Sequence, residues 1–161
     1  MNGVIVSGVI ESRLKALGIT LPDLPAPLGA YVPWVRAGHL VFISGQLPMV
    51  NGKPAQIGLV GSAVSVEDAK AAARVSGINL IAQLKAACEG DLQKVKRVVK
   101  LTGFVACDGT FTQHPHVING ASELFVEVFG EAGRHARAAV GSSSLPLGAS
   151  VEVEGVFEVN D

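Results

Sequence analysis

Residues 133–141, Gly-Arg-His-Ala-Arg-Ala-Ala-Val-Gly, place Arg137 among residues with almost no side chain. Strand periodicity sends Ala136, Ala138 and Val140 to one face and His135, Arg137, Ala139 and Gly141 to the other. The first set is small and apolar, which predicts that it packs under helices and that Arg137 faces away from the core. Ala139 and Gly141 then leave room for a ligand beside the guanidinium. A guanidinium offers two parallel N–H donors to a carboxylate, a geometry that lysine does not reproduce.

The last apolar run alternates as clearly. Val151, Val153 and Phe157 face one way, and Glu152, Glu154 and Glu158 the other. If these two strands form a direct hairpin centred on Ser144-Leu145, Arg137 falls opposite Glu152, a pairing conditional on a connection longer than a tight turn. Two interpretations follow from that pairing. It is either a solvated ion pair worth under about 1 kcal/mol, or a site at which Arg137 grips a small organic acid.

Several elements must position these residues. Two apolar runs around Ala37-Gly38-His39 predict a β-hairpin from Tyr31 to Ser44, with Pro33 placing its first strand at an edge. Asn51-Gly52 predicts a second turn between short strands. From Ser65, with Asp68 completing a capping pattern, a long helix runs to a stop at Gly90. Its small-residue stripe (Ala69, Ala72, Ala73, Ser76) predicts close packing on a sheet, and Gly77 interrupts it at about 1 kcal/mol relative to alanine. A strand over 95–106, a helix from about Val117 to Phe129, and strands over 135–141 and 150–159 complete the order. That order predicts an α/β (α+β) fold: a single mixed sheet with two main helices on one face. Ser7 caps a further short helix closed by Gly18, and three prolines between 21 and 29 form a linker. Residues 1–27 are thus an N-terminal helix and linker, and 28–161 the main domain.

The composition narrows what such a domain binds. The 161 residues are 48% hydrophobic and only 17% charged, which predicts that other subunits cover part of the surface. A formal charge of −1 gives no general attraction to nucleic acid or to an anionic membrane, so neither is an expected partner. No apolar stretch approaches a membrane span, and no cleavable leader is evident. With two cysteines that form no framework, the expected location is cytoplasmic. Cys88 sits on the helix stripe as a small hydrophobe, and Cys107 ends a strand with nothing cationic beside it in sequence. His114 and His116 flank a proline without acidic or cysteine partners at ligand spacing, so they are loop or capping residues and no metal is expected. Lys94, Lys96 and Lys100 read as the wet edge of a sheet; RNA binding is the sharper alternative, without interleaved aromatics to support it.

Leu28 to Pro48, "HVING" at 116–120, "ARAAVG" at 136–141 and "LPLGASVEVEGVFEV" at 145–159 together resemble the RidA/YjgF family of reactive-intermediate deaminases. Ser44-Gly45-Gln46 belongs to that pattern, and the wording around 114–122 and 133–137 resembles a longer branch of the family. The resemblance implies a chorismate-mutase-like fold assembled as a homotrimer, with a cleft at each subunit interface. It implies hydrolysis of 2-imino or 2-enamino acids such as 2-aminoacrylate to 2-oxo acids and ammonia, without a cofactor. By the same resemblance Arg137 is the carboxylate anchor, Glu152 orients or activates water, and Tyr31, Ser44 and Asn119 line the pocket. Two positions depart from the pattern. Ala138 and Ala139 stand where deaminase members carry serine and a small polar residue. The alternatives are a non-catalytic carboxylate-binding or regulatory trimer and, third, an endoribonuclease.

Overall fold

In the computed structural model, which describes residues 8–24 and 29–161, the Ser65 hydroxyl accepts the Asp68 amide at 3.1 Å. The helix it caps, α2, runs Val66–Ala87. Two shorter helices are α1, Val9–Ala16, and α3, His114–Phe129. α3 starts one turn earlier than its apolar periodicity indicates. Pro115 stands in its first turn, where a missing N–H costs nothing, and this draws His114 and His116 into the helix. The strands are β1 Trp34–Ala37, β2 Leu40–Gln46, β3 Met49–Val50, β4 Lys53–Pro54, β5 Val95–Ala106, β6 Ala136–Ser142 and β7 Val151–Val159.

β1 and β2 form the predicted hairpin, with β1 at the sheet edge. β3 and β4 pair across Asn51 and Gly52, both at positive φ as a two-residue hairpin turn demands. The main sheet runs in the order β1-β2-β7-β5-β6, with only β5 and β6 parallel. α3 is the crossover that a parallel pair requires. Both main helices cover one face, on which Val41, Leu101, Val153 and Phe157 are fully buried. α2 and α3 touch where Gly120 lies against the backbone of Lys70 and Arg74.

The condition for pairing Arg137 with Glu152 is not met, and the expected facing of β6 is overturned. β6 and β7 form no hairpin, because β5 lies between them. Arg137 pairs with Leu101, which pairs with Gly155, whereas Glu152 pairs with Phe104. The faces of β6 are also reversed. Arg137 shares a face with the buried Leu101, toward the helices, while Val140 on the other face is 45% exposed. β6 is an edge strand, so polar groups of α3 reach over it; its apolar residues belong to a sheet face that no described helix covers.

α1 docks rather than hanging free. Ile10 and Leu14 join the core, and Arg13 Nη1 donates to the Val128 carbonyl at 3.1 Å, where the end of α3 favours a cation. Gly18, at φ 69°, closes the segment. The proposed Ser7 cap and linker residues 25–28 lie outside the described residues.

Candidate functional site

Arg137 sits on the outermost strand, and α3 supplies its partners. Its Nη1 donates to Asn119 Oδ1 at 2.7 Å and to Ser122 Oγ at 3.1 Å. Asn119 and Ser122 are three apart on the helix and therefore share a face. Ser122 Oγ also lies 2.9 Å from His135 Nε2, and His135 Nδ1 lies 2.6 Å from the Gly133 carbonyl. Burial holds the His135 imidazole below its ordinary value of 6.5, with the Arg137 charge adding to the effect against the Gly133 hydrogen bond. Among the described residues nothing bonds Arg137 Nε or Nη2. Ala139 shares the Arg137 face and Ala138 does not, so only one of the two departures stands beside the guanidinium.

Glu152 projects from β7 onto the helix-free face. Its carboxylate lies over Gly45 of β2, where any side chain would have to displace it. Glycine within Ser44-Gly45-Gln46 thus leaves the Glu152 carboxylate room for this placement. Burial raises the Glu152 carboxyl above its ordinary value, and neighbouring Glu154 adds to the rise. Ser44, on the same face, donates its hydroxyl to the Val32 carbonyl at 2.9 Å. It lines a depression of about 280 Å³ with Phe42, Lys100, Thr102 and Glu154. Tyr31 precedes β1 and is 58% exposed.

The five candidate residues therefore fall into two groups. Arg137 and Asn119 meet at the α3–β6 edge. Glu152 and Ser44 occupy the opposite face of the sheet around β2 and β7, with Tyr31 in the segment leading to it. Within one chain the groups do not converge.

Other clusters resolve differently. Cys107 Sγ lies 3.5 Å from His114 Nε2, a contact that appears only because α3 begins early, while burial and Asp108 raise its thiol. His116 pairs with Glu67 at 2.8 Å. Among the described residues no three metal-ligating side chains gather. Lys94 and Lys96 are held by Glu89 and Glu158, each at 2.9 Å. No described helix is long and apolar enough to cross a membrane. Ser122 and His135 were absent from the sequence-derived site. The i, i+3 spacing of Asn119 and Ser122, and the shared strand face of His135 and Arg137, are the signals that point to them.

Residues 11–158 match the model of the YjgF/chorismate mutase-like family, whose description carries an endoribonuclease label. Protein TCP17 of Trypanosoma cruzi is 45% identical over 159 residues, 98% of this chain and 99% of that protein. A 2-iminobutanoate/2-iminopropanoate deaminase of Dermatophagoides farinae is 28% identical over 141 residues, 88% of this chain and 94% of its own. The crystal structure of Atu1372 from Agrobacterium tumefaciens has a TM-score of 0.88 at 52% identity, covering 95% of this chain and 94% of that one. With one mixed sheet, two main helices on a single face and near-complete coverage by the family model, this chain belongs to the YjgF/chorismate mutase-like family.

Proposed function

We propose that the protein hydrolyses small 2-imino or 2-enamino acids to 2-oxo acids and ammonia at clefts between subunits of a homotrimer. The carrying observation is the Arg137 guanidinium, fixed at Nη1 by α3 while Nε and Nη2 have no partner among the described residues. Those donors suit the two oxygens of a carboxylate. The deaminase name of the Dermatophagoides farinae relative supports the substrate class.

Glu152 supplies the proton handling. As carboxylate it takes a proton from water while the water oxygen bonds to the imine carbon, giving a carbinolamine. As acid it returns a proton to nitrogen. Glu152 then takes the carbinol proton and passes it to the amino group, so that the C–N bond breaks, ammonia leaves and the 2-oxo group forms. A carboxyl raised by burial returns a proton more readily than an ordinary one. Holding the imine beside one aligned water is much of the catalysis. Because Glu152 and Arg137 occupy opposite faces of one sheet, the edge of one subunit must meet the helix-free face of the next. Val35, Phe42 and Val140, each roughly half exposed on that face, supply the apolar surface for such contact.

One observation favours a binder without turnover: Ala139, on the arginine's own face, offers no polar side chain to a water. A coupled assay separates the two. With a dehydratase generating 2-aminoacrylate, the protein accelerates 2-oxo acid formation and Arg137→Ala abolishes the acceleration. Carboxylate binding without acceleration would leave the binder standing.

A further inference from the structure

We infer that Ser122 and His135 form a positioning relay that locks the Arg137 guanidinium and leaves its Nε–Nη2 edge as the carboxylate-binding side. The inference rests on Arg137 being the anchor, and adds how it is held and from which side it is approached.

The polarity of the relay follows from its ends. The Gly133 carbonyl can only accept, so at 2.6 Å His135 Nδ1 carries the proton. In the neutral ring Nε2 is then an acceptor, and the Ser122 hydroxyl donates to it at 2.9 Å. With its proton committed there, Ser122 Oγ turns a lone pair to Arg137 Nη1 at 3.1 Å. The second Nη1 hydrogen goes to Asn119 Oδ1 at 2.7 Å. Both hydrogens of Nη1 are spent, so rotation about Cζ–Nη1 is blocked. Only the edge formed by Nε and Nη2 retains parallel donors for a bidentate carboxylate.

The packing supports a neutral ring. Among the described residues, His135 faces Ser122 and Phe125 on α3 and Gly133 before β6, all uncharged, and Arg137 is the one charge acting on it. An imidazolium there would sit beside a guanidinium and turn Nε2 into a donor. His135 and Ser122 are thus positioning residues rather than catalytic ones.

The test pairs an affinity with a spectroscopic signature. Sodium pyruvate is titrated into the wild type, Ser122→Ala, Ser122→Thr and Arg137→Lys, and hindered rotation of the arginine Nη groups is read by 15N NMR, with Arg137→Lys supplying the assignment. The wild type shows slow Nη1 rotation and binds pyruvate. Ser122→Ala releases the rotation and weakens binding by about tenfold, one charge-assisted hydrogen bond lost. Ser122→Thr, which keeps the hydroxyl, retains both properties. Pyruvate bound by the wild type, with Ser122→Ala unchanged in rotation and affinity, would overturn the relay alone. No pyruvate binding by the wild type would remove the anchor and the relay together.

Discussion

At the residue scale, Arg137 shows where sequence is sufficient and where it stops. Its solitary guanidinium among alanines was legible, as was the file of glutamates on β7, because side-chain alternation is a local property of a strand. Which face of β6 the helices cover is not local. Small apolar residues suit a subunit contact as well as a helix contact, so Ala136, Ala138 and Val140 carried no sign of which. The same network makes a pH prediction. His135 has a folded-state pKa below its unfolded value, so its contribution to stability is present above about pH 6.5 and is lost as pH falls through the lower folded value. His135→Asn keeps a neutral polar group without titrating. In urea unfolding at fixed protein concentration, the midpoint of the wild type falls between pH 7 and pH 5 more steeply than that of His135→Asn. Parallel profiles would place the imidazole in an unperturbed setting.

Elements were the most legible level where their signals were local. The Ser65 cap, the Asn51-Gly52 turn and the span of β5 followed from residues within a few positions. Strand order did not, since a hairpin of β6 and β7 could be stated only as a condition resting on their closeness in sequence. The strand, helix, strand succession from β5 through α3 to β6 is the overriding signal: a crossover helix returns the chain parallel to its first strand and pushes β7 to the other side. Gly120 escaped notice for a related reason. Nothing near it in sequence shows that the α2 backbone at Lys70 lies against it. Gly120→Ala gains about 1 kcal/mol of helix propensity but drives a methyl into the Lys70 carbonyl at a cost of about 3 kcal/mol, for a net loss of about 2 kcal/mol. Urea unfolding of the variant measures this; wild-type stability would mean that α2 and α3 are further apart than the fold requires.

At the scale of the whole molecule, the site is divided. A chain with 17% charged residues and an uncovered sheet face carrying Phe42 and Val140 suits assembly, as its composition suggested. The division itself was invisible in sequence, where Arg137 and Glu152 lie fifteen positions apart and look like partners. In the fold they look away from each other across the sheet. In the proposed assembly a second copy brings one to the other. Complementation between two defective subunits tests this most directly. Arg137→Ala and Glu152→Gln are each inactive alone in the coupled 2-aminoacrylate assay. Co-expressed in equal amounts, they form mixed assemblies in which about a quarter of the clefts join an intact arginine to an intact glutamate, and that fraction of wild-type activity returns. Mixed assemblies that form yet stay as inactive as either variant alone would contradict a shared site.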